Sequence, residues 1–183
     1  MTRAAQSSSN IKIRIGLLLV ALAAAIGAVM TLSNCQSGTV TTDKVTSVQI
    51  AGKRFTLELA TNADTRFQGL SNRDFIADDG GMIFVFRSPS SQSFVMRHCP
   101  IDIDIMYLDS RGKILTMHEM TVEEPQREGE SDAEYNARLK RYPSRFSNVQ
   151  FVIELRGGRM AEIGVKVGDQ VTLDTGKLKD LAS

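Results

Sequence analysis

Apolar and polar positions alternate most clearly around residue 103, where Ile101, Ile103 and Ile105 interleave with Asp102, Asp104 and Met106. A period of two sends successive side chains to opposite faces of an extended chain, so this segment reads as a strand with two unlike faces. Asp109, Ser110, Arg111 and Gly112 follow as turn chemistry, Gly112 being free to take a positive φ. Residues 113–120 resume an extended pattern, which predicts a β-hairpin that organises the domain.

The reading extends in both directions. Val45–Ile50 and residues 54–60 are predicted strands on either side of Ala51, Gly52 and Lys53, with Phe55, Leu57 and Leu59 on the apolar face of the second. Thr61 or Asn62 is placed to cap a short helix that carries Asp64 in its first turn and stops at Gly69. Residues 82–86 are a continuous apolar run suited to a strand covered on both faces, and residues 149–155 are a second strong strand. Between them, the charged stretch 123–144 holds a capping box at Ser131 and Glu134, and is expected to be a surface insertion that adds little core. A helical turn at 159–163, a glycine turn at 164–169 and a last strand at 170–173 complete the pattern.

Seven or eight short strands with two or three short helices predict a mainly β (α+β) domain, compact and barrel-like, over residues 45–176, with 177–183 as a tail. No repeated βαβ rhythm is present, which argues against a nucleotide-binding doubly wound sheet.

The first 35 residues have a different character. Residues 15–32 are uncharged and follow Lys12 and Arg14, a pattern long enough for the lower limit of a membrane span, with the globular part outside. Leu32, Ser33, Asn34 and Cys35 resemble a bacterial lipoprotein processing box, in which Cys35 would carry the lipid; Asn34 departs from its usual small residue. Lipidation, ordinary cleavage and an uncleaved signal anchor remain open. Residues 36–44 read as a flexible spacer. The expectation is a domain tethered to a membrane through its N-terminal segment or a lipid, in the periplasm or extracytoplasmic space.

Charge narrows the partners further. The chain has a formal net charge of +1, and beyond residue 35 it carries 19 basic against 21 acidic residues with no concentrated basic face, so nucleic acid is not expected as a partner. Cys35 and Cys99 give neither a disulfide framework nor a zinc pattern.

Several motifs together resemble a known family. Arg66-Phe67-Gln68-Gly69-Leu70-Ser71, then Gly81-Met82-Ile83-Phe84-Val85-Phe86, then Phe94-Val95-Met96-Arg97 and the Asp104 strand, are similar to the bacterial and archaeal family known as domain of unknown function 192. Tyr142-Pro143-Ser144, Phe151-Val152-Ile153-Glu154-Leu155 and the Gly164 to Asp169 turn continue the likeness, which spans about residues 46–174. The resemblance implies a small β-barrel-like domain, often exported, and no established activity. His98-Cys99, Asp102 and Ser71 depart from the family pattern, which usually has Asn-Thr, often Pro, and commonly Met there.

Four groups of residues carry candidate chemistry. Asp102 and Asp104, two apart on a strand, could hold a cation or form an acid/base pair of the glycosidase kind. Met96, His98, Cys99, His118 and Met120 are the soft donors that select Cu(I), an ion that an exported domain meets. Cys99 with His98 or His118 could form a nucleophile. Arg66, Met96, Asp104 and Tyr142 are expected to line any pocket between the first helix and the hairpin. The leading reading is a non-catalytic module for a small ligand or protein partner. A hydrolase using Asp102 and Asp104 is the alternative, and an extracytoplasmic copper protein the third. No cofactor is implied by any motif.

Overall fold

In the computed structural model, which describes residues 44–183, the predicted hairpin forms. The chain runs β1 (Val45–Ile50), β2 (Lys53–Ala60), α1 (Ala63–Gln68), β3 (Met82–Ser90), β4 (Ser93–Phe94), β5 (Ile103–Leu108) and β6 (Ile114–Met120). It continues through α2 (Asp132–Arg138), β7 (Tyr142–Pro143), β8 (Val149–Arg156), α3 (Arg159–Ile163) and α4 (Thr175–Asp180). The apolar run at 15–32, Cys35 and the spacer up to residue 43 lie outside the described residues. Among the described residues, no helix is long and apolar enough to cross a membrane.

Six strands make one mixed sheet in the order β1-β2-β3-β8-β5-β6, and β4 and β7 pair as a separate two-stranded ribbon. The sheet does not close into the expected barrel. In place of a closing strand, residues 170 and 172 make isolated bridges to Lys113 and Gln49, so the expected last strand is only a stitch between the ends of the sheet. Strands β2 and β3 run parallel, which requires the crossover through α1; the other neighbours in the large sheet are antiparallel.

Both faces of the sheet are covered, and for this reason the central strands read as unbroken apolar runs. All six residues of β5 and the first seven of β8 are buried. On one face Ile83, Val85, Met106, Leu108, Phe151, Ile153 and Leu155 pack beneath Met160, Val165, Val171 and Leu178 of the C-terminal segment. On the other, Phe84, Ile103, Ile105, Tyr107 and Val152 pack with Leu70, Met96, Met120 and Tyr142. Residues 177–183, expected as a tail, contain most of α4, whose Leu178 is buried, and the Ser183 amide donates to the Thr61 carbonyl at 2.9 Å.

The charged insertion also does more than expected. Its helix α2 carries the predicted capping box, Ser131 accepting from the Glu134 amide while the Glu134 carboxylate reaches back to the Ser131 amide. Tyr135 and Leu139 are nonetheless fully buried. The Tyr135 hydroxyl accepts the His98 N–H at 3.0 Å and so holds His98 at φ +52°, a left-handed backbone position seldom taken by non-glycine residues. The insertion thus clamps the loop that leads into β5.

Candidate functional site

Strand parity puts Glu154 on the face of β8 that lies opposite the C-terminal segment. Its neighbours across the sheet are Met82 on β3 and Ile105 on β5, two apolar residues that offer it no hydrogen bond. Glu154 is 5 % exposed, and burial alone pushes its carboxyl up to about 8, with no hydrogen bond or cation to oppose the shift. The side chain is therefore mainly a neutral acid at neutral pH.

Above Glu154 lies a cavity of about 440 Å³, within the usual size range of small-ligand pockets. Phe84 and Phe94 form one wall, edge to face with ring centroids 4.9 Å apart. Gly69 at the end of α1 sits over the Phe84 ring; a Cβ there would meet the ring at 3.4 Å, and its φ of +51° favours glycine. Asn136 and Arg141 reach the cavity from the charged insertion, so this segment forms part of the site.

The two other arginines of the cavity are already engaged. Arg66 donates to the carbonyls of Thr61 (2.7 Å), Val85 (3.0 Å) and Ser183 (3.0 Å), and its guanidinium lies 5.4 Å from the Phe86 ring centroid. It ties helix α1, strand β3 and the C-terminus together, the use of a planar five-donor fork for which lysine has no equivalent. Arg97 lies 3.6 Å from the Phe67 centroid and donates to the Phe67 carbonyl. Neither gives Glu154 a counter-charge.

Cys99 lines the same cavity and donates its thiol to the Arg97 carbonyl at 3.4 Å. Burial and the nearby Glu154 push the thiol up to about 12, against a smaller opposing pull from Arg97. It is held as a thiol, the unreactive form, and not as the thiolate that nucleophilic catalysis needs.

Of the four residues expected to line a pocket, only Arg66 does so; Met96 and Tyr142 are buried in the apolar cluster behind the cavity. Asp104 faces the other side of the sheet, 1 % exposed, where its Oδ2 accepts the Met160 N–H at 2.6 Å at the start of α3. Burial raises its pKa, and the Met160 amide opposes the rise. Asp102 precedes the strand, is exposed, and accepts the Val122 N–H at 2.8 Å. The two aspartates therefore do not share an open face, and neither lines the cavity.

The soft donors are dispersed as well. Met96 and Met120 are core residues, the His98 ring lies against Tyr135, and His118 Nε2 sits 2.9 Å from the Pro143 carbonyl. Among the described residues, no three His, Cys, Asp or Glu side chains gather closely enough to hold a metal ion. The Cys99 pairings with His98 or His118 are likewise not formed, since each histidine is directed at another partner.

Glu154 is the site residue that the alternation around residue 103 did not single out. Its signal was nonetheless present: one acid inside the run Phe151 to Leu155, in a strand apolar enough to be covered on both faces.

Comparison with known proteins agrees with this fold. The family model for domain of unknown function 192, described as an uncharacterised ACR, matches residues 46–173. A crystal structure of a proposed transcription regulator from Sinorhizobium meliloti is similar at 30 % identity and a TM-score of 0.56, covering 68 % of this chain and 88 % of that one. A protein of unknown function from Novosphingobium aromaticivorans is similar at 26 % identity and a TM-score of 0.58, covering 70 % and 85 %. No curated protein matches the chain.

Proposed function

Because the chain belongs to the uncharacterised family known as domain of unknown function 192, we propose its role from geometry alone: a non-catalytic module that binds a small ligand in the cavity above Glu154. The observation that carries this reading is a carboxyl group, almost wholly buried and without a hydrogen bond, lining a cavity of about 440 Å³. A buried polar group left unpaired costs about 1–3 kcal/mol, more if charged, and a stable fold keeps such a group where something else pairs with it. A thiol held in its protonated form and two separated aspartates supply no catalytic set, which favours binding over hydrolysis.

We propose further that the domain is exported and tethered, on the strength of the apolar run at 15–32 behind Lys12 and Arg14 and of Cys35 after it. Mass spectrometry of the membrane fraction tests this: a lipidated Cys35 or an intact leader supports tethering, and a soluble chain cleaved without lipid overturns it.

The binding reading is tested by a thermal-shift screen of the full chain, in mild detergent, against small molecules of both charge signs. Binding to the native state raises its melting temperature by mass action. A ligand that stabilises the chain, and stops doing so when Phe94 is replaced by Trp to fill the cavity, supports the reading. A library with no stabilising member overturns it.

A further inference from the structure

The charges around the cavity bear on what kind of ligand enters it, and this inference rests on the binding role just proposed. We infer that the cavity takes a small organic anion, its acidic head held by Arg97 and Arg141 beside the Glu154 carboxyl and its apolar body laid against Phe84 and Phe94.

Charge leads there first. Arg66, Arg97 and Arg141 all line the cavity, and among the described residues Glu154 is the only acid that does. None of the three arginines is paired with a carboxylate of the described residues, whereas Arg73, Arg138, Arg156 and Arg159 each are. The carbonyls that hold the three are dipoles without net charge, so the guanidinium charges stay uncompensated. Glu154 does not cancel them, because burial keeps its carboxyl mainly neutral at pH 7. The cavity therefore carries an excess of positive charge, which an incoming anion neutralises.

Hydrogen-bond supply and the aromatic walls agree with this. Carbonyls take three N–H donors from Arg66 but one each from Arg97 and Arg141. The latter two keep the rest of a planar fork that matches the oxygens of a carboxylate or phosphate head. Protonated Glu154 adds an O–H donor, which an anionic oxygen accepts. The phenyl faces of Phe67 and Phe86 already meet the protein's own cations, Arg97 at 3.6 Å and Arg66 at 5.4 Å from the ring centroids. Phe84 and Phe94, packed edge to face, remain as an apolar wall for the body of the ligand.

Glu154 also sets a limit in pH. Once ionised it puts a negative charge beside the bound head, so affinity falls as pH rises past about 8. The other titratable groups that face it do not cause this fall. Cys99, in the loop before β5, and Tyr107, on β5, are both held protonated by burial, with the Glu154 charge adding to each shift. Arg66 on α1, Arg97 in the same loop as Cys99 and Arg141 beyond α2 stay charged throughout.

The experiment is isothermal titration calorimetry of the full chain in mild detergent with four matched probes: benzoate, phenyl phosphate, benzyl alcohol and benzylamine. At pH 7 at least one of the two anions is expected to bind about tenfold or more tighter than the alcohol and the amine, and the tighter anion identifies the head as carboxylate or phosphate. Arg97→Gln and Arg141→Gln are each expected to cost that anion about tenfold, with benzyl alcohol unchanged. Arg141 is exposed, so its variant tests the inference even if Arg97→Gln fails to fold. Arg54→Gln, exposed on β2 and outside the cavity, is expected to change nothing and controls for net charge. Benzoate affinity is expected to be flat from pH 6 to 7 and to fall towards about tenfold per pH unit well above the Glu154 pKa, a fall that Glu154→Gln removes. Benzyl alcohol or benzylamine binding as tightly as both anions overturns the inference and leaves the ligand-binding role standing. So does anion binding indifferent to both cavity arginine variants, or a wild-type benzoate profile that stays flat to pH 10. If no probe binds, the inference is likewise overturned, while the broader screen decides the binding role separately.

Discussion

Asp104 and Glu154 make an instructive pair. They sit on adjacent strands, one register position apart, both almost wholly buried and both with pKa values raised by desolvation. Their strands send them to opposite faces of one sheet. Asp104 meets the C-terminal segment, where its Oδ2 takes the Met160 amide at the start of α3. Glu154 meets a cavity and receives no hydrogen bond. Burial is therefore a poor guide to function by itself. What separates the two is that the fold gives one Asp104 oxygen a backbone partner, leaving its buried Oδ1 unpaired inside the core, and sets Glu154 against a cavity.

That contrast is open to direct attack. The largest effect is expected from Gly81→Ala, because Gly81 has φ +144° and a Cβ there would overlap the Glu154 carbonyl and crowd leucines 57 and 155. The overlap is with backbone, which cannot turn aside, so the substitution should cost about 4 kcal/mol or more, read as a collapse of the urea midpoint. A midpoint that stays in place would mean that β3 and β8 are less tightly coupled than their register implies.

Asp104→Ala comes next. It strips the buried Met160 amide of its acceptor, and a loss of about 1–3 kcal/mol is expected in urea unfolding. Ligand binding in the cavity should be unchanged at every pH, whereas Glu154→Gln is expected to remove its fall above about 8.

Glu154→Gln tests the other member through pH. The folded carboxyl keeps its proton up to about 8, whereas an ordinary glutamate releases it near 4.5. Between those values the folded state binds more protons than the unfolded one, so wild-type stability falls as pH rises. The slope of this contribution approaches about 1.4 kcal/mol per pH unit. Stabilities of wild type and variant measured at pH 5, 6.5 and 8 should diverge accordingly, the variant losing less on going to pH 8. Parallel curves would place the Glu154 carboxyl in a wetter setting than its neighbours suggest.

Cys99 offers the smallest and most local measurement. With its thiol pushed up to about 12 from an ordinary 9.0, its thiolate fraction at pH 8 is roughly a thousandfold below that of a free cysteine. Alkylation by iodoacetamide, followed on the Cys99 peptide by mass spectrometry, should be correspondingly slow in the folded chain and fast in urea. Rapid labelling of the native chain would show that the cavity wall opens.

Much of the sheet could be read along the chain. The alternation of Ile103 and Ile105 with Asp104 and Met106 is a local property of the backbone pleat, and it predicted the hairpin and which residues share a face. The capping box of Ser131 and Glu134 is equally local, since both partners lie within one helical turn. The expected barrel was a different matter. Strand count says nothing about closure, which depends on how the last segment meets the edges, and here residues 170–172 make only two bridges. The insertion was misjudged as peripheral for a related reason: Tyr135 looks like one aromatic among charges until its hydroxyl meets the His98 amide 37 positions away.

Taken alone, the amino-acid order determined the central strands, the caps and the family, because periodicity, turn chemistry and short motifs act over a few residues. The tertiary structure decided which buried acid takes a backbone amide, which carbonyls the arginines bind and where the cavity lies. Those depend on contacts between segments far apart in the chain, and a hydrogen bond supplied or withheld across such a distance leaves no trace in local pattern.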